Sequence, residues 1–91
     1  MFVVVSYDIV DDKKRARVAN ILKDYGERVQ YSVFEANLTK NMFDRMLKEV
    51  LKYIADREDS LRIYQLCEEC QKKVKIYGIG KITEDEEVIV I

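Results

Sequence analysis

Phe2-Val3-Val4-Val5-Ser6-Tyr7-Asp8 is the stretch that decides the fold. Phe2 to Tyr7 is apolar almost throughout and rich in Val. That reads as a strand buried on both faces, in the middle of a sheet. Asp8 stands where the strand ends. Asp11 and Asp12 follow, and either can cap a helix by accepting from its first free N–H groups. The spacing predicts a helix from about Lys13 to Tyr25. Val18, Ile21, Leu22 and Tyr25 fall at i, i+3, i+4 and i+7, which makes one buried stripe. Gly26 is the expected terminator, since glycine tolerates the left-handed conformation after a helix.

Residues 28–38 read as extended, because Val29, Tyr31 and Val33 alternate with Gln30, Ser32 and Phe34. One bent strand or a tight hairpin around Phe34-Glu35-Ala36 both fit. A second helix is expected from about Lys40 to Ala55, capped by Thr39, with Phe43, Met46, Leu47, Val50, Leu51 and Ile54 buried. Ser60 to Leu66 is a further strand with Leu61 and Ile63 on one face. Cys67 to Lys72 reads as a loop and Lys73 to Tyr77 as an edge strand. Val88 to Ile91 must pair with a sheet edge, either the chain's own or a partner's, because exposed β-formers are sticky. With a hairpin in the middle the order is β-α-β-β-α-β. That is the ferredoxin-like pattern of the α+β class, here with an extra C-terminal strand at 84–91. Residues 1–91 make a single domain on this reading.

Composition narrows the function. The chain has 91 residues and no His, Pro or Trp. The missing histidines remove the commonest general base at neutral pH, every His-containing triad within one chain, and any His-ligated metal site. Hydrolysis must then use carboxylates with a hard metal ion, or Tyr, Lys or Cys. Formal net charge is −1, which excludes a uniformly basic coat but not a local basic patch. A chain this short buries only roughly 60–65% of its unfolded surface, so dimerisation would help it. The start lacks the basic n-region and long apolar run of a signal peptide, and no stretch reaches the ~20 apolar residues of a membrane span. A cytoplasmic protein without a membrane partner is expected. Cys67 and Cys70 are two thiols where zinc wants four ligands, and Glu68 and Glu69 between them should oppose a thiolate. Two ordinary cysteines or a local disulfide is the plainer reading.

Two groups of residues carry chemistry. Tyr7-Asp8, with Asp11 and Asp12 behind, puts carboxylates at the end of a central strand. Oxygen ligands suit Mg²⁺ or Mn²⁺, and Mg²⁺ often takes only one or two protein carboxylates. Asp11 and Asp12 are explained by capping; Asp8 is not. The second group is the basic run Lys13, Lys14, Arg15 and Arg17, with Lys23 and Arg28 further on. Arginine forks suit phosphate oxygens. Acidic metal ligands beside basic phosphate ligands suit a phosphodiester site. Phe34 offers an aromatic face for a base or a dimer contact.

Tyr7-Asp8-Ile9, Asp11-Asp12, Arg15, Arg17, Leu22, Tyr25-Gly26, Arg28-Val29-Gln30 and Ser32-Val33-Phe34-Glu35 occur in an order that resembles the CRISPR-associated protein two family. The resemblance covers the first forty or so residues. It implies a ferredoxin-like homodimer whose C-terminal strand crosses to the partner's sheet, and one Mg²⁺ shared by Asp8 of both subunits. It implies an endonuclease that cuts single-stranded RNA or double-stranded DNA, and a bridge between CRISPR integrase dimers during spacer acquisition in antiviral defence. The family residues present are Tyr7, Asp8, Arg15, Arg17, Arg28 and Phe34. Tyr7 and metal-held water are the available leaving-group acids. Lys14, Arg15, Arg17, Arg28 and Phe34 are the expected nucleic-acid contacts. The rival readings are a DNA-binding scaffold without physiological cleavage, a toxin-type ribonuclease of the same fold, and a small-molecule regulatory module. The acidic strand end speaks against the last.

Overall fold

A computed structural model describes residues 1–80 and 82. The elements are β1 (Phe2–Asp8), α1 (Asp12–Lys23), β2 (Glu27–Gln30), β3 (Val33–Asn37), α2 (Lys40–Leu51), β4 (Ser60–Leu66) and α3 (Glu68–Lys72). The four strands form one sheet in the order β2-β3-β1-β4, with antiparallel neighbours throughout. This is the expected ferredoxin-like order. The expected C-terminal strand at 84–91 lies outside the described residues.

β1 is central because both its edges are paired. Val5 stands opposite Phe34 on β3 and Ile63 on β4. The odd residues Val3, Val5 and Tyr7 point into the core with Phe34 and Ala36 of β3. Val18, Ala19 and Leu22 of α1 and Met46 and Val50 of α2 close that core from one side, with Leu61 and Ile63 packed against it. Burying such a side chain fully is worth about 1.5–3 kcal/mol. The even residues fare differently. Phe2 is buried, Val4 and Ser6 are half-buried, and Asp8 is exposed. Their neighbours across the ladders are Glu35 and Val33 on one side and Tyr64, Arg62 and Ser60 on the other. The expectation of two buried faces therefore holds for one face of β1 only, because both long helices pack on the same side.

The caps fall where the residue chemistry puts them. The Asp11 carboxylate accepts from the Lys14 N–H at 2.8 Å and starts α1. The Thr39 hydroxyl accepts from the Met42 N–H at 3.2 Å and starts α2. α2 stops four residues before the expected Ala55. The Ala55 N–H is taken by the Asp59 carboxylate at 2.9 Å, and the Asp59 N–H returns to the Ala55 carbonyl at 2.8 Å. A side-chain acceptor has replaced the helical one. Leu51 then falls off the buried stripe and is exposed.

Three further expectations are corrected. The hairpin turn lies at Tyr31-Ser32, not around Phe34-Glu35-Ala36, which belong to β3. Cys67–Lys72 contains the short helix α3 rather than a plain loop, because Cys67 supplies its cap. Residues 73–77 form no strand. Alternation makes a segment fit for a ladder, but a strand exists only where an edge receives it, and α3 intervenes between β4 and this segment.

Gly26 has a different role from the one expected. Positive φ occurs at Gly78 and Gly80, not at Gly26. A Cβ on Gly26 would overlap the Glu35 carbonyl oxygen and approach the Ala36 Cβ to 2.7 Å. Glycine is needed because the α1–β2 connection presses on the backbone of β3. Both obstacles belong to the sheet, so neither yields cheaply. Gly26→Ala should lower unfolding free energy by about 1–3 kcal/mol, read from the midpoint of urea denaturation. An unchanged midpoint would show that the connection can back away from β3.

Candidate nucleic-acid and metal site at the end of β1

Three segments meet at the C-terminal end of β1. Asp8 stands opposite Ser60, the first residue of β4. On the other edge the Tyr7 N–H donates to the Ser32 carbonyl in the hairpin turn at 3.1 Å. The third segment is the loop from Ile9 to Asp11, which leads into α1.

That loop is held from several directions. Ile9 is buried. The Arg15 guanidinium donates through Nη1 to the Ile9 carbonyl at 2.8 Å, and its Nη2 pairs with the Asp12 carboxylate. The Asp59 carboxylate accepts from the Val10 N–H at 2.9 Å while its other oxygen holds Ala55. Asp59 thus clamps the β1–α1 loop to the turn before β4. These N–H donors, Ala55 first and then Val10, hold the Asp59 carboxyl below its ordinary value of 3.8.

The carboxylates now separate by role. Asp11 caps α1, Asp12 pairs with Arg15, and Asp59 binds two backbone donors. Among the described residues the exposed Asp8 carboxylate has no hydrogen bond or ion pair. Of the expected site residues, it is the one acid left available for a ligand.

The cations separate too. Arg15 is engaged with Ile9 and Asp12, so it positions the loop, contrary to its expected part as a phosphate contact. Lys14 is exposed in the first turn of α1, where its charge acts on Asp59. Arg17 is exposed, with its guanidinium 5.6 Å from the Tyr53 ring centroid. Arg28 is exposed on β2, lying 5.3 Å from the Phe34 ring and 5.9 Å from the Tyr31 ring. Stacking on rings leaves the N–H edges of a guanidinium free for oxygen acceptors.

Two expected site residues belong to the core instead. Tyr7 is 4% exposed and Phe34 1%. Their rings stack with centroids 6.3 Å apart and 25° between planes. Tyr7 lies on the face opposite Asp8, as neighbours on a strand must. It is therefore not placed to protonate a leaving group beside Asp8. Simple alternation puts Phe34 on the face of Gln30 and Ser32. A bulge between Arg28 and Gln30 breaks that count and sets Arg28 opposite Phe34 and Gln30 opposite Val33.

Sequence reasoning passed over Tyr31, Ser60 and Asp59. Tyr31 is 81% exposed, at the turn beside the Asp8 end of the sheet. It offers the aromatic face that Phe34 does not.

The model of the family described as CRISPR associated protein Cas2 matches residues 1–74. The chain belongs to that family. A CRISPR-associated endoribonuclease Cas2 of Chloroflexus aurantiacus is 48% identical over 85 residues, covering 93% of this chain and 91% of the relative. The crystal structure of Streptococcus pyogenes Cas2 is similar with a TM-score of 0.75 at 35% identity, covering 86% of this chain and all of that one. A chain of a partial Cas6-RT-Cas1–Cas2 complex is similar with a TM-score of 0.65 at 28% identity, covering 82% and 88%. The free carboxylate at the end of β1 is thus found in a member of the Cas2 family.

The Asp59 clamp predicts a pH dependence. Its folded value is depressed, so its contribution is present above the ordinary carboxyl value and is lost as pH falls through the folded one. The wild-type thermal midpoint should fall as pH drops below about 4. Asp59→Asn should start lower at neutral pH and show a shallower acid decline, measured by circular dichroism melts between pH 2 and 7. Parallel curves for the two proteins would remove Asp59 from the acid response.

Proposed function

We propose that this Cas2-family chain is a homodimeric, metal-dependent endonuclease of CRISPR adaptation, with Asp8 as its metal-binding and catalytic carboxylate. The reading rests on one observation. Asp8 is exposed and unengaged, whereas Asp11, Asp12 and Asp59 around it are all committed to holding the loop.

The residues fit Mg²⁺ or Mn²⁺ only as half of a site. Among the described residues no group of three or more His, Cys, Asp or Glu could hold a metal. A hard divalent ion keeps most of its waters and takes one or two protein carboxylates. One Asp8 from each of two copies satisfies that demand, and no soft ligand competes. The ion supplies Lewis-acid activation of water and neutralises charge on the phosphodiester. The side chains do the rest. Asp8 provides the anionic oxygens, Arg17 and Arg28 bind phosphate, and Arg15 and Asp59 hold the loop so that Asp8 faces outward.

The half-exposed sheet face, on which neither α1 nor α2 packs, supports a dimer. Val4 and Leu66 are only half-buried there and Tyr64 is 48% exposed, on a sheet whose opposite face already carries both long helices. A second copy covering this face would enlarge a thin core. RNA is the first substrate on this reading, since a close relative is named an endoribonuclease. A Cas1-type integrase is the protein partner on this reading, supported by the likeness to a chain of a Cas6-RT-Cas1–Cas2 complex, and double-stranded DNA is the substrate the two would share. No helix among the described residues is long and apolar enough to cross a membrane, which is compatible with a cytoplasmic site of action.

A scaffold role without physiological cleavage is the second reading. It is favoured by Arg17 and Arg28, exposed cations stacked on rings rather than paired with acids. Asp8→Asn separates the two. Asn keeps the size and the exposed position, so folding and nucleic-acid binding should persist while Mg²⁺-dependent cleavage falls at least about a hundredfold. Cleavage by the purified variant at the wild-type rate would sink the nuclease assignment to Asp8. Arg17→Ala and Arg28→Ala should each reduce the slope of log affinity against log salt by about one unit. A slope unchanged in both variants would move the nucleic-acid surface elsewhere.

A further inference from the structure

Cys67 and Cys70 lie at the opposite end of the sheet from Asp8. β4 begins at Ser60 opposite Asp8 and ends at Leu66 opposite Phe2, and the cysteines follow at once. Both thiols are free and exposed. Cys67 precedes α3, and its sulfur accepts from the Cys70 N–H at 3.4 Å. Cys67 as the cap and Cys70 in the first turn of α3 thus lie within one helical turn of each other, with the Cys70 backbone N–H directed at the Cys67 sulfur.

This arrangement reverses the expectation from charge. Glu68 and Glu69 sit between the cysteines, yet the Cys67 thiol is lowered. The Cys70 backbone N–H is the largest cause, followed by the Cys70 thiol. Cys70 is raised in turn, because its proton is held against the Cys67 sulfur. Donors in direct contact outweigh carboxylates that are free to turn toward solvent.

We propose that Cys67 and Cys70 are a redox-active dithiol that closes to a reversible intramolecular disulfide by exchange with a low-molecular-weight disulfide of the glutathione class. The Cys67 thiolate attacks one sulfur of the small disulfide. A mixed disulfide forms on Cys67, the small molecule's S–S bond breaks, and one small thiolate leaves and takes a proton from solvent. Cys70 then loses its proton to solvent and attacks Cys67 Sγ, expelling the second small thiolate. Two protein thiols are oxidised and one small disulfide is reduced to two thiols. The ring so formed spans the first turn of α3. It fixes how the chain leaves β4 for residues 73–80.

Thiol trapping tests this on the full chain. The purified protein is equilibrated with mixtures of reduced and oxidised glutathione, alkylated, and weighed by intact mass spectrometry. The expected product is the unadducted monomer lacking two hydrogens, restored by excess reduced glutathione. Cys70→Ser should accumulate one glutathione adduct on Cys67, because no second thiol can resolve it. At neutral pH iodoacetamide should label Cys67 roughly fivefold faster than Cys70. Cys67→Ser retains a good capping residue, so its circular dichroism should match the wild type and its residual labelling should report Cys70 alone. Disulfides between chains, a persistent adduct on the wild type, equal labelling rates, or zinc held by the thiols against both reactions would each overturn the proposal.

Discussion

β1 must satisfy two ladders and a core with seven residues, and the rest of the molecule is arranged around that constraint. Its edges are fully paired with β3 and β4 over most of its length. An unpaired N–H or carbonyl in so buried a strand would cost about 1–3 kcal/mol. The register cannot slip by one residue, since a slip would send Val3, Val5 and Tyr7 to the half-exposed face. The position of Asp8 follows from that fixed register. An acidic residue one place beyond Tyr7 must point away from the core, at the place where the ladder ends and solvent begins.

The loop after β1 shows how a chain with sixteen cations against seventeen acids still exposes a free acid. Asp11 is neutralised by a helix start, Asp12 by Arg15, and Asp59 by two backbone donors. Each of these contacts also shapes the loop. Arg15 holds the Ile9 carbonyl, and Asp59 ties Val10 to the turn before β4. The same contacts that commit the neighbouring charges also orient Asp8. If Asp8 binds a metal as proposed, it is held for that task by residues that never touch the ligand.

Much of this was legible in the chain, for reasons that differ by element. The caps at Asp11 and Thr39 could be read because they depend on residues three apart in sequence. The stripe of α1 and the centrality of β1 could be read because burial imposes a period. Where a contact across the fold or a local irregularity decides, the sequence pattern misleads. Gly26 looked like a left-handed cap, yet its constraint is the backbone of β3 across the fold. The stripe of α2 reads on to Ala55, but Asp59, four residues downstream, takes the Ala55 N–H. Phe34 was put on the wrong face by a bulge that leaves no mark in an alternating pattern. Tyr7 is the instructive miss, because the signal was present. Adjacent strand residues face opposite ways, so Tyr7 and Asp8 were never able to line one site together.

Charge alone also misjudged the cysteines. Two glutamates between two thiols suggest repulsion of a thiolate, and at equal distance they would produce it. Interaction energy falls with distance and with solvent screening, and exposed carboxylates can turn away. A backbone N–H in the same turn cannot. The Cys70 N–H is held at 3.4 Å from the Cys67 sulfur by α3 itself. Fixed dipoles in contact thus prevail over mobile charges nearby. The same rule explains why Asp59 is depressed by Ala55 and Val10 before Lys14 contributes. In a chain without histidine, where no side chain has an unperturbed pKa near neutral pH, backbone donors are the first cause of lowering at Asp59 and Cys67. They act here at both ends of β4, on Asp59 before it and on Cys67 after it.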